Sequence, residues 1–187
     1  MYLQLEMPHS LLHKRFTAMY EGWKGQGFEV LEPFWMWSEP FLKLDSGDGI
    51  SRIKHYLEEY KPGLLIIDPL YKVLSGNILD PNQVRVLADA LDKVIAEYGV
   101  SIMLCHHPRK SAIQMDSNDM DWGSDDMLGS AVFSWWADSI LKLSRQEGSS
   151  KKRTVIVNQR YARLNLSADV VRYAEEEIEP KEVLFDR

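Results

Sequence analysis

Three acidic or basic positions stand directly after apolar runs, where chemistry is often placed. Leu64-Leu65-Ile66-Ile67 ends on Asp68. Val100 to Cys105 ends on His106-His107, and the short segment from Tyr2 to Leu5 ends on Glu6. An aspartate after a buried strand can hold a hydrated magnesium ion beside a nucleotide; the same carboxylate can also simply cap the next turn. Adjacent residues on a strand point to opposite faces. One imidazole of His106-His107 can therefore face a site while the other packs behind it, as hydrogen-bonding sensors of a phosphate; alternatively both are surface histidines. Glu6 could orient or deprotonate a water. It also precedes a helix, whose dipole favours an acid there.

Other candidates carry less. Asp116, Asp119, Asp121, Asp125 and Asp126 crowd one stretch. Their spacing and the glycine position do not match a calcium-binding loop. A metal-dependent hydrolase built on Asp68, the histidines and this acidic stretch ranks last, because the ligand spacing is unconvincing. Cys105 has no catalytic context and reads as core. Of Trp135 and Trp136, one is expected in the core and one at a surface. Arg160 and Arg163 follow a late strand and could reach a neighbouring subunit's phosphate or solvate the sheet edge.

The elements that must position these groups alternate strand and helix. Leu64 to Asp68 is apolar without alternation, so it reads as a central strand covered on both faces. Leu11, Leu12, Arg15, Phe16, Met19, Tyr20 and Trp23 recur at helical spacing after Pro8, and Gly22, Gly25 and Gly27 are expected to break that helix. Phe28 to Leu31 is a candidate strand. The aromatic stretch Pro33 to Trp37 has no secure place. Ile50, Ile53, Leu57 and Tyr60 mark a helix halted by Pro62-Gly63. Tyr71 to Leu79 reads as loop. Asp80, Pro81 and Gln83 predict a capped helix start with a capping box, Leu87, Leu91, Val94, Ile95 and Tyr98 its buried stripe, and Gly99 its left-handed end. Val100 to Cys105 reads as a second buried strand, completing a strand–helix–strand unit. Residues 109–127 are expected to form a mobile acidic loop. Gly129 to Ala137 predicts a short helix, Ser139 to Ser144 and Thr154 to Val157 a hairpin, and Val170 to Tyr173 a further strand. Residues 175–187 form an acidic tail. No internal repeat or linker divides the chain.

The 187 residues suffice for one domain with a sizeable core, and a net charge of -6 argues against a surface that grips phosphate backbones everywhere. A local basic patch stays open. One cysteine permits no intrachain disulfide and points to an intracellular, cytoplasmic setting. No apolar run reaches transmembrane length.

In order, these segments resemble the RecA-fold P-loop ATPases, closest to plasmid RepA-type hexameric helicases and related AAA-type ATPases with a DnaB-like core. The segments are Leu5-Glu6-Met7-Pro8, the strand ending at Asp68, the strand ending at His106-His107, Gly129-Ser130, and Asn158-Gln159-Arg160-Tyr161. The resemblance covers residues 1 to about 165. It implies an α/β fold with a mostly parallel sheet, helices on both faces and an antiparallel hairpin towards the C-terminus, all within one core domain of residues 1–187. It implies ATP and Mg2+ as cofactors, with Asp68 as the Walker B carboxylate, Glu6 activating water, and His106 and His107 sensing phosphate. Gly129 and Ser130 match the family's serine-bearing segment; Arg160 matches loosely a basic residue near the subunit interface. Rings of subunits and a DNA partner in replication follow by the same analogy. There are departures. No G-x-x-x-x-G-K-[ST] loop occurs; Gly22 to Gly27 has glycines in the wrong order. Asn158 stands where the family tends to have lysine, and Asp138 falls near a family arginine. The chain is therefore expected to match the family core without its first strand, phosphate loop and first helix, and to be inactive alone. A non-catalytic assembly or regulatory module is the alternative. The strand from Val100 to Cys105 should then have an edge covered by later strands or by a partner copy.

Overall fold

The computed structural model describes residues 1–27, 34–106, 132–145 and 153–159. In chain order its elements are β1 (Tyr2–Gln4), α1 (His9–Gly25), β2 (Met36–Ser38), α2 (Gly47–Tyr60), β3 (Leu64–Asp68), a 3-10 turn (Leu70–Val73), α3 (Pro81–Tyr98), β4 (Ser101–Leu104), α4 (Val132–Trp136), β5 (Ser139–Arg145) and β6 (Arg153–Gln159). The first four strands form one parallel sheet in the order β2-β1-β3-β4, while β5 and β6 pair antiparallel in a sheet of their own. The expected α/β architecture and late hairpin are both present.

Register decides which side chains share a face. Leu3 pairs with Ile67, so Leu3, Leu65 and Ile67 lie on one side, and all three are fully buried. They join a core with Ile53 and Leu57 of α2, Val84, Leu87, Leu91 and Val94 of α3, and Phe133 of α4. The opposite side carries Tyr2, Gln4, Leu64, Ile66 and Asp68. There α1 lays Phe16 against the Tyr2 ring, at 5.4 Å between centroids. Helices thus flank both faces.

Several expectations are corrected. The central strand is not sealed on both sides: Leu64 is 40% exposed, while α1 packs against Tyr2 of β1 and against β2. β4 is not buried either. Ser101 is exposed and Met103 is 39% exposed, since β4 forms the sheet margin among the described residues. The later strands β5 and β6 bond to each other and not to β4. Helix α1 runs past Gly22 but ends at Gly25, with Gly27 at φ 82 just beyond, and of its apolar residues only Leu12 is buried. A glycine inside an exposed helix costs about 1 kcal/mol and need not end it. The unplaced aromatic stretch runs into β2, with Trp37 stacked on Tyr56 of α2 at 5.1 Å. The segment after Asp68 is not plain loop but opens on a 3-10 turn.

The start of α3 keeps its Asp80 cap, whose Oδ1 accepts from the Asn82 amide at 2.9 Å. Its capping box does not form. Gln83 instead accepts from the Asn77 amide at 2.6 Å, and the Asp80 amide is already held by the Asn77 carbonyl. Gly99 ends the helix at φ 62, as expected. Trp135 is exposed, whereas Trp136 packs on the core and donates to Asp92 at 2.7 Å. The candidate strands at 28–31 and 170–173, the acidic loop 109–127 and the tail 175–187 lie outside the described residues.

Candidate active site at the strand carboxyl ends

β1, β3 and β4 are parallel neighbours, so their carboxyl ends open on the same edge of the sheet. Glu6 follows β1, Asp68 ends β3 and His106 follows β4. Ligands in open α/β sheets gather at such an edge. The loops there are tied by backbone bonds that extend the ladder. Leu5 donates to the Asp68 carbonyl at 2.8 Å, Cys105 to the Ile67 carbonyl at 2.9 Å, and Leu70 to the Cys105 carbonyl at 2.8 Å. Of the expected site residues, Glu6, Asp68 and His106 therefore share one sheet edge. His107, Gly129, Ser130, Arg160 and Arg163 lie outside the described residues.

Each carboxylate has a tyrosine partner that local sequence patterns do not reveal. The Tyr2 hydroxyl donates to Asp68 Oδ2 at 2.6 Å. The Tyr71 hydroxyl, on the 3-10 turn after Asp68, donates to Glu6 Oε1. Between them lies Gln4, only 3% exposed. Its Oε1 accepts from the Glu6 amide and, at 3.0 Å, from the Met7 amide. Its Nε2 lies 3.4 Å from the Tyr2 hydroxyl oxygen. With Oε1 fixed by two amides, Nε2 can only donate towards Tyr2, so the phenol's own proton goes to Asp68. The signal in the sequence was a glutamine and a tyrosine two apart in an apolar segment, but their target depends on a register spanning Tyr2 to Asp68.

Electrostatics follow from this packing. Burial raises the Tyr2 hydroxyl well above the ordinary tyrosine range, and the bond to Asp68 raises it further. The Tyr71 hydroxyl is raised chiefly by its bond to Glu6. Burial, helped by the Asp68 charge, pushes the Cys105 thiol up to about 11. Cys105 is therefore a protonated, half-buried group beside the site and no nucleophile at neutral pH.

The donor set can be weighed against magnesium and a nucleotide. Among the described residues no group of three or more His, Cys, Asp or Glu is placed to hold a metal. The metal-dependent hydrolase reading draws on His107 and the acidic stretch, which lie outside the described residues. Magnesium keeps most of its waters and takes one or two carboxylates plus phosphate oxygens, and Asp68 is a carboxylate placed at the strand end. The phosphate side is different: the sequence holds no loop of the form that cradles phosphates on backbone amides. The residues present fit the metal side of such a site and not its phosphate side.

Among the described residues no helix is long and apolar enough to cross a membrane. The fold resembles two solved structures. The ATPase domain of G40P aligns at TM-score 0.61 with 17% identity, covering 84% of this chain and 65% of that one. A KaiC-like protein from the hyperthermophilic archaeon Pyrococcus horikoshii aligns at TM-score 0.51 with 16% identity, covering 84% of this chain and 63% of that one. This chain thus spans just under two thirds of each structure, and at these identities the likeness is one of fold. Comparison with curated proteins finds no match. A family profile described as AAA domain matches residues 1–112, which include all three strand-end residues of the candidate site. The chain belongs to that AAA domain family and has the fold of the RecA-type P-loop ATPases.

Proposed function

We propose that this chain is part of a helicase-type ATPase domain and carries the carboxylate half of a magnesium–nucleotide site, without the phosphate half. Asp68 is the group that would hold magnesium. Glu6 would position the attacking water, and His106, with His107, would contact the terminal phosphate. Gly129 and Ser130 would border the nucleotide, and Arg160 and Arg163 would face a neighbouring subunit. A homo-oligomer or partner subunit and a DNA substrate belong to the same reading. The observation that carries it is the adjacency of β1, β3 and β4, which brings Glu6, Asp68 and His106 to one sheet edge.

As a 187-residue chain it should hydrolyse ATP poorly or not at all. Phosphoryl transfer is catalysed mostly by positioning and by charge stabilisation. Losing a single preorganised donor of this kind costs on the order of 100- to 1000-fold in rate, and here a whole loop of them is missing from the sequence. Titration calorimetry with ATP and magnesium should give no resolvable binding heat, and phosphate release should stay at the no-protein rate. Micromolar, magnesium-dependent ATP binding would refute this.

One observation favours the alternative, an assembly or regulatory module that keeps the fold. Both site carboxylates are already engaged by tyrosine hydroxyls within the chain. The coding DNA upstream of Met1 separates the two readings: an in-frame G-x-x-x-x-G-K-[ST] supports the ATPase, and its absence the module.

A further inference from the structure

We propose that the outer edge of β4 is a docking edge for a second copy of this chain, the two β4 strands pairing antiparallel about a twofold axis at Met103. β4 bonds on one side only, to β3. Its Ser101 amide and the following Cys105 amide donate inward, to the Gly63 and Ile67 carbonyls at 3.0 and 2.9 Å. Backbone groups alternate sides along a strand, so Ile102 and Leu104 turn their N–H and C=O groups outward. Among the described residues no strand pairs with that edge. Its sequence does nothing to resist pairing. Ser101-Ile102-Met103-Leu104-Cys105 has neither charge nor proline, the devices that commonly blunt an exposed edge. The other margin, β2, is three residues long and runs directly into Glu39-Pro40.

β4 is complementary to itself. Its two outward residues are two apart, so the same strand turned end for end sets Ile102 opposite Leu104 of the second copy, and Leu104 opposite Ile102. In an antiparallel ladder such pairs exchange both N–H···O=C bonds. Met103 then faces Met103 of the second copy as the intervening pair, with Cα atoms about 4.5 Å apart. Met103 is 39% exposed and pairs with Ile66, which puts it on the same sheet face as Leu64, 40% exposed. The contact thus buries apolar surface that the single chain leaves in water. Charge favours the same edge. At a net charge of -6 two copies repel over much of their surface, and an uncharged strand lets them approach.

Analytical ultracentrifugation of the full chain should show a concentration-dependent dimer. Met103→Lys and Met103→Glu each set like charges against one another at the axis, and each should weaken dimerisation by about tenfold or more. An equimolar mixture of the two variants should restore the dimer, because opposite charges then meet. Mixing would not rescue variants that had lost their fold, and far-ultraviolet circular dichroism checks each one alone. Register is tested by cross-linking in a Cys105→Ala background. Met103→Cys should give a disulfide-linked dimer on mild oxidation, as a Cα separation of about 4.5 Å permits. Ser101→Cys should not, because the two copies of that position lie on opposite sides of the axis, several residues apart. A monomeric wild type, an unweakened dimer in Met103→Lys, charge variants that do not reassociate on mixing, or cross-linking of Ser101→Cys in preference to Met103→Cys overturns the proposal.

Discussion

Gly49 holds α2 against the strap that braces the segment after Asp68, and replacing it with alanine tests that bracing. A Cβ at Gly49 would lie 1.6 Å from the Lys43 carbonyl oxygen, where contacts under 3.0 Å are essentially never seen. Helix and strap must therefore separate by about 1.4 Å. The atom in the way is backbone, so it cannot rotate aside as a side chain would. Two groups of bonds are put at risk. One is the start of α2, where Ser46 accepts from the Gly49 amide at 3.4 Å. The other is the strap itself. Lys43 donates to the Lys72 and Leu74 carbonyls at 2.5 and 3.0 Å, and Leu44 donates to the Val73 carbonyl at 2.8 Å.

The magnitude follows from opposing terms. Alanine in place of glycine inside a helix stabilises by about 0.5–1 kcal/mol. Overpacking a tight site costs about 1–3 kcal/mol, and loss of a helix cap about 1 kcal/mol. The net expectation is destabilisation by about 1–3.5 kcal/mol. For a chain of this size that lowers Tm by roughly 2–14 °C. Gly47 supplies the control, because a Cβ there meets nothing within 4 Å. Urea unfolding followed by circular dichroism should show a lower midpoint for Gly49→Ala at unchanged slope, with Gly47→Ala at or slightly above wild type. If Gly49→Ala is as stable as Gly47→Ala, the close approach of helix and strap does not constrain the fold.

Two further outcomes are expected. Leu65→Ala should cost about 2–5 kcal/mol in the same unfolding assay, as a fully buried leucine does, whereas Leu64→Ala, one residue away and 40% exposed, should cost well under half of that; equal costs would contradict the assignment of the two sheet faces. The Cys105 thiol has a raised folded pKa of about 11, so its contribution to stability is fully present below the unfolded thiol's value, about 8.5, and is lost as pH rises through about 11. Iodoacetamide should label it slowly at pH 7, and Cys105→Ala should flatten the stability decline across that window; rapid labelling at neutral pH would contradict its shielding.

What the sequence revealed was punctuation and continuous apolar runs, because both act locally. Leu64 to Ile67 could only be a strand leading to Asp68, and Asp80 with Gly99 bracketed α3 to the residue. What failed was whatever depends on a competitor or on distant pairing. Gln83 matched a capping box, but the Asn77 amide claimed its side chain. Gly22 matched a helix breaker, yet an exposed helix absorbs its modest cost. An apolar run shows that a strand prefers burial and not that both faces obtain it, so the exposure of Leu64 had no local signal. β2 is three residues long at a sheet margin among the described residues, and its one aromatic, Trp37, is satisfied by Tyr56 and Tyr60 of α2 rather than by period-two alternation. At the site, the positions of Glu6, Asp68 and His106 after apolar runs were legible, and the groups that orient the carboxylates were not.

Those orienting groups form one connected network at the strand ends. A glutamine 3% exposed would be costly if its amide were unsatisfied, by about 1–3 kcal/mol. Gln4 is tolerated because every bond it makes runs along the site. Its oxygen shapes the turn that carries Glu6, and its nitrogen faces the hydroxyl that holds Asp68. Tyr71 then closes the circuit from the turn after Asp68 back to Glu6. The two carboxylates are thus held by side chains rooted in β1 and in the turn after β3, a network set by strand register rather than by any local sequence pattern.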